Sequence, residues 1–305
     1  MTTGPEPGRG TAAAAGLVER FAEAFTSAVP ADPEDDGFFG PASVTWRVSA
    51  DLSAPVAGLR SLMMQALHPL AMAGVDQHSG WRLDPVGRLA ATSRYTTTVC
   101  YGDRASAAGA AGRVRAIHEH VRGVDTVTGR RYAASDPALL LWVHAALVDS
   151  ALAACALFGT PLPGADADRY VAEMTVAAEL LGVPRQTIPD SVAALRRYLD
   201  RVRPELGRTP AAAESMGYLL RLPGLDEEIA ALWQDIAGAA IAALPRWARQ
   251  QYGWQAPPGL DPVTPERRTQ VRQALGVLDA VFLAEPGVLE ARQRLELRRR
   301  AAMRK

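Results

Sequence analysis

The chain has only two cysteines in 305 residues, Cys100 and Cys155, which stand far apart. That excludes a disulfide framework, a Cys-x-x-Cys site and the Cys-x-x-Cys-His signature of covalent haem attachment. Charge of one sign is also missing, since 33 Lys and Arg balance 33 Asp and Glu. No broad footprint for nucleic acid or a membrane surface is expected from that balance. There is no G-x-S-x-G, no P-loop, no Gly-rich dinucleotide fingerprint, no internal repeat and no regular run of alternating strands. The first residues, Met1 to Ala15, lack the basic-then-apolar order of a signal peptide and carry no twin arginine, so a cytoplasmic protein is expected. The most membrane-like stretch, Ala138 to Phe158, contains His144 and Asp149. A charge there costs roughly 2.5–3.5 kcal/mol on insertion scales, so a buried helix with no stable membrane insertion is expected.

Aromatics are 6% of the chain, and alanine and leucine supply much of its apolar content. Both favour helix. The expectation is an all-α fold: a single-domain multi-helix bundle over 17–285, a disordered start over 1–16 and a basic C-terminal helix over 286–305. Helices are predicted over Leu17–Val29, Pro55–Leu67, Leu70–Val75, Val86–Tyr101, Arg104–Arg122 and Pro137–Leu157. Further ones fall near Asp166–Leu181, Ser191–Arg203, Pro210–Leu220, Asp226–Leu244 and Pro265–Phe282. Asp103 caps one, and Ser135 or Asp136, followed by Pro137, caps another. Val44, Trp46 and Val48 alternate, which predicts a short extended piece from Ser43 to Ala50. Thr128-Gly129 marks a hairpin-like loop within Val124–Ala134. The helix from Pro137 is apolar nearly all round, which places it at the centre.

All five histidines lie between His68 and His144. In a helix ending at Arg122, Arg115, His118 and Arg122 are spaced i, i+3, i+7 and share a face. One imidazole between two guanidiniums suits an iron-bound ring carrying carboxylates. The alternative is a helix end whose cations complement its dipole. His120 points elsewhere and makes a poor chelate with His118. His144, in an apolar helix, needs a hydrogen bond or a coordinated atom. Arg88 and Thr92, at i and i+4, either present a cation and a hydroxyl together or form a helix back-bond beside an exposed arginine. A zinc site from His68, His78 and Asp76 is conceivable but has no recognised spacing.

Several segments together resemble one family, the latex-clearing rubber oxygenases and MpaB-type oxygenases. They are Gln65-Ala66-Leu67-His68-Pro69, Gly74-Val75-Asp76-Gln77-His78-Ser79 and Asp84-Pro85-Val86-Gly87-Arg88-Leu89-Ala90-Ala91-Thr92. Then come Tyr101-Gly102-Asp103, Arg115-x-x-His118-x-x-x-Arg122-Gly123, Tyr132-x-Ala134-x-Asp136-Pro137 and Leu141-Trp142-Val143-His144-Ala145. The resemblance, over roughly residues 40 to 250, implies a haem b pocket between central helices. It implies His118 as proximal iron ligand and Arg88 and Thr92 near the haem as the catalytic pair. Arg115 and Arg122 would be cations of the pocket, with His144 beside it. The implied activity is an oxygenase using dioxygen on an apolar, isoprenoid-like substrate, with no nucleic-acid partner. A haem-dependent oxidase or peroxidase, and a non-catalytic carrier of haem or a hydrophobic ligand, are the alternatives. Two departures tell against polyisoprene cleavage. Ala91 stands where rubber-cleaving members have a lysine able to cap the iron. Their distal glutamate has no counterpart near residues 70–80, where Asp76 and His78 occur instead.

Overall fold

The computed structural model describes residues 35–223, 225, 227–254 and 263–282. The helix expected over Leu17–Val29, the start expected to be disordered and the basic helix expected over 286–305 lie outside these residues. Among the described residues the chain is all-α, with twelve α-helices and one two-stranded hairpin. The order is α1 (Val44–Ser49), α2 (Ala54–Gln65), α3 (Pro69–His78), α4 (Pro85–Tyr101), α5 (Arg104–His120), β1 (Arg122–Val124) and β2 (Arg131–Ala133). Then follow α6 (Pro137–Leu157), α7 (Gly164–Leu180), α8 (Val192–Val202), α9 (Pro210–Leu220), α10 (Glu227–Ala243), α11 (Arg246–Gln251) and α12 (Pro265–Phe282).

Local signals start most of these helices. The Asp103 carboxylate accepts from Ser106 N at 2.6 Å, and Asp136, not Ser135, caps α6 through Ala138 N at 2.8 Å. Helix α6 is central. Its Trp142, Ala145, Ala146, Val148 and Ala154 are fully buried. Its main partner is α2, which brings Val56, Leu59, Met63 and Met64 into the same core. Each large side chain fully buried there stabilises the fold by roughly 1.5–3 kcal/mol. Although α6 is long and apolar enough to cross a membrane, 67% of its apolar window is buried inside the protein. One charge sits in this core. Arg60 donates to Ala243 O at 2.9 Å, Ser150 Oγ at 2.7 Å and Asp149 Oδ2 at 2.7 Å, tying α2 to α6 and to the end of α10.

Two expectations are corrected. Residues 44–49 are helical, not extended. Val44, Thr45, Trp46 and Val48 are all buried, so alternation carried no information about which face is wet. Ser43 Oγ accepts from Trp46 N at 3.1 Å, and Trp46 meets Tyr101 edge-on at 5.1 Å. Helix α5 ends at His120, two residues early, because Val121 is taken by the hairpin: Ala134 N donates to Val121 O at 2.8 Å. The hairpin-like loop expected over Val124–Ala134 is present as a paired hairpin, with Gly123 opposite Tyr132. The short α11 was not foreseen from the residues.

Candidate functional site

Helices α4 and α5 are joined by Gly102 and Asp103 alone and pack on each other, so they form an antiparallel pair. The small residues Ala107, Ala110 and Ala111 are buried and let the backbones approach. Antiparallel pairing sets the first turns of α4 beside the last turns of α5, and thus Arg88 near His118. The two feel each other: the His118 pKa is lowered by desolvation first and then by the Arg88 charge. Arg88 itself is open to solvent, yet the protein around it desolvates its guanidinium enough to lower its pKa.

Arg88 Nη1 donates to Thr92 Oγ1 at 2.6 Å, and Thr92 Oγ1 donates back to Arg88 O at 3.1 Å. The helix back-bond beside an exposed arginine is therefore present, with Arg88 also donating to the threonine hydroxyl. His118 is half-buried, and its imidazole makes no hydrogen bond with the described residues. With its basicity lowered, its ring is neutral at pH 7 and holds a free lone pair. His120 is exposed, and its Nδ1 lies 2.8 Å from Ala116 O.

The expected shared face of Arg115, His118 and Arg122 is not formed. Arg122 lies past the end of α5, in β1, and its Nη2 donates to Glu119 O. Arg115 Nη1 donates to Leu180 O at the C-terminus of α7. Both guanidiniums thus also serve carbonyls at helix ends, the placement that a helix dipole favours. His144 is 8% exposed, makes no hydrogen bond or ring contact with the described residues, and burial pulls its pKa down to about 4.

The zinc alternative has no geometry behind it. Asp76 pairs with Arg82 at 2.6 Å and His78 meets Tyr132. His68 is buried against Trp142 at the start of α3, its Nδ1 without a partner. Among the described residues no group of three His, Cys, Asp or Glu gathers to hold a metal.

Two features escaped the sequence reading. Tyr95 follows Thr92 by three residues and Arg88 by seven, so it lies on the same face of α4. Its hydroxyl is buried with no partner, burial pushes its pKa up to about 12, and Arg115 lies close enough to lower it slightly. Arg88, Thr92, Tyr95 and Val99 follow helical spacing, so its face was legible in the sequence, but the burial of its hydroxyl was not. The second is a lock on the hairpin that follows His118. Tyr132 is buried, donates to Gln77 Oε1 at 2.7 Å and meets His78 Nε2 at 3.1 Å, while Gln77 Nε2 donates to Val124 O at 3.0 Å. Gln77 must present its oxygen to Tyr132, so the Tyr132 oxygen accepts from His78.

Gly123 is required by this lock. A Cβ there would lie 2.7 Å from Tyr132 Oη and 3.0 Å from Gln77 Oε1. Gly123→Ala is expected to lower stability by about 1–3 kcal/mol in urea unfolding. Adding Tyr132→Phe should recover part of that loss, because the hydroxyl is the atom struck. Strict additivity of the two losses would refute the clash.

Comparison with curated proteins and with solved structures returns no match. The family model described as "ER-bound oxygenase mpaB/B'/Rubber oxygenase, catalytic domain" matches residues 46–280. That span runs from α1 to near the end of α12 and contains the α4–α5 pair, the hairpin and α6. With more than half its length matched, the chain belongs to this family of oxygenase catalytic domains.

Proposed function

We propose that the protein is a haem b-dependent oxygenase that acts with dioxygen on an apolar, isoprenoid-like substrate, with His118 as the proximal ligand. The observation that carries this reading is the neutral, unpartnered His118 imidazole opposite Arg88, in a chain of oxygenase family. The residues fit the cofactor. A b-type haem needs one free imidazole and cations for two propionates. His118 supplies the first, and Arg88, Arg115 and Arg122 stand on the elements that bear or adjoin it. Tyr95 and His144 add polar atoms that no described residue satisfies. When bound, haem iron supplies the redox chemistry that brings dioxygen to a carbon–carbon double bond.

The protein's own groups have narrower tasks. Arg88 keeps N–H donors beyond the one given to Thr92, free for an oxygen ligand or a carboxylate. The Thr92 hydroxyl proton is held by Arg88 O, so Thr92 presents lone pairs rather than a donor. His144, neutral at pH 7, keeps its surroundings free of an added positive charge.

The test is the absorption spectrum. The purified protein is expected to show a Soret band that His118→Ala abolishes. His120→Ala is expected to keep it, since His120 is exposed and turned to its own helix. A band that survives His118→Ala sinks the assignment. Oxygen uptake with an isoprenoid substrate, absent without it, separates an oxygenase from a carrier. Turnover with peroxide alone would point to a peroxidase.

A further inference from the structure

Tyr95 carries a buried hydroxyl with no hydrogen-bond partner among the described residues. Such a group weighs against the fold for as long as nothing accepts from it. The hydroxyls beside it on α4 are turned elsewhere. Thr92 Oγ1 accepts from Arg88 at 2.6 Å, and Thr96 Oγ1 donates to Ser93 O at 2.9 Å. Cys100, further along α4, is buried and takes a hydrogen bond from Ser49 Oγ at 3.4 Å. Burial keeps the phenol protonated, so Tyr95 is a donor that lacks an acceptor.

The surroundings specify the charge of the missing acceptor. Two influences cross the antiparallel pair: the Arg88 charge acts on His118, and the Arg115 charge acts on Tyr95. Tyr95 lies about two turns beyond Arg88 on α4, roughly 10 Å along the axis, and Arg115 about one turn before His118 on α5. Because the helices run in opposite directions, both steps lead the same way from the level of Arg88 and His118. Tyr95 and Arg115 therefore meet to one side of His118. No acid among the described residues bears on Tyr95. Arg115 gives one N–H to Leu180 O, which anchors its head, and keeps the rest. The acids closest to it in the chain and at that carbonyl leave it unpaired: Glu119, a turn along α5, makes no ion pair with it, and Glu179 is held by Arg185 at 2.9 Å. A phenol O–H beside a guanidinium offers several donors and no acceptor. A carboxylate, with one oxygen for each, satisfies both and balances the charge. An alcohol or an ester would leave the guanidinium without a counterion.

We propose that Tyr95 and Arg115 form a subsite for a ligand carboxylate, the phenol O–H donating to one oxygen and the guanidinium to the other. The identity of the occupant rests on the function proposed above, which makes it a propionate of the haem held by His118. A carboxylate carried by the substrate is the other source of the same chemistry.

Loss of haem from the full chain to an excess of apomyoglobin tests it. Tyr95→Phe is expected to release haem about tenfold faster than wild type, the scale for a hydrogen bond to a charged acceptor. Without haem, the same variant should unfold at a urea midpoint no lower than wild type, because it removes a buried hydroxyl that has no acceptor. A lower midpoint would mean that the hydroxyl serves the fold, and would overturn the proposal. Arg115→Gln should also release haem faster, but by a smaller factor in the Tyr95→Phe background, since both groups hold one carboxylate. Fully independent effects overturn the shared subsite. With haem dimethyl ester, whose carboxylates are blocked, Tyr95→Phe and wild type should differ by less than about twofold. If Tyr95→Phe retains haem like wild type, calorimetry with geranic acid and geraniol decides. An acid bound about tenfold more weakly by the variant, with the alcohol unaffected, assigns the subsite to the substrate. If neither haem nor the acid distinguishes the two proteins, the subsite does not exist. A wild type that takes up no haem defeats the haem reading alone, and the geranic acid comparison then judges the subsite by itself.

Discussion

Arg60→Met is expected to destabilise the protein by about 3 kcal/mol, the lower end of the cost of breaking a buried pair. The guanidinium is 3% exposed and satisfies three acceptors at once, on Ala243, Ser150 and Asp149. Methionine keeps most of the volume, so the loss reports unpaired polar groups rather than a cavity. Asp149 keeps 26% of its side chain exposed, and water softens the penalty on its charge. Adding Asp149→Leu should restore more than half of the loss, because an uncharged pair leaves no uncompensated ion in the core. Urea midpoints at a constant slope would measure both. A loss below about 1 kcal/mol for Arg60→Met would show that water already reaches the pair.

The second large effect is one of pH. His144 has its pKa pulled from the usual 6.5 to about 4 by burial. The unfolded chain binds a proton there between those values and the folded chain does not. Stability from this group is thus complete above about pH 6.5 and falls as pH drops toward 4. The integrated loss at pH 4 is about 3 kcal/mol. His68 and His118 are shifted in the same direction by burial and add to the slope. His144→Leu isolates the term. At pH 8 the variant should be no less stable than wild type, since it removes a buried polar group without a partner. Between pH 6.5 and 4 its stability should fall less steeply. Parallel curves for the two proteins would mean that His144 is protonated in the folded state.

Much of the fold was legible because its signals are local. Asp103, Asp136 and Ser191 each stand before a helix and each accept from its first turn. The all-round apolar run after Pro137 announced a central helix, and α6 is that helix. Arg88 and Thr92 are one turn apart, so their mutual hydrogen bond was within reach of spacing alone. Spacing failed where a neighbour decided the outcome. Val44, Trp46 and Val48 alternate like a strand, but Tyr101 and Glu173 bury α1 on both faces, and Ser43 caps it. Arg122 was placed on the His118 face by a helix that in fact stops at His120, where hairpin pairing outcompetes two further helical residues.

By itself, then, the order of residues determined the helical class, the caps and the candidacy of His118, because capping and periodicity act within one or two turns. Tertiary structure decided which partners those groups have: Arg60 for Asp149, 89 residues away; Leu180 for Arg115; Arg88 for His118. No local rule reaches across such separations. Contacts between distant segments form only when the core around α6 excludes water and leaves each buried polar group the few neighbours that can satisfy it.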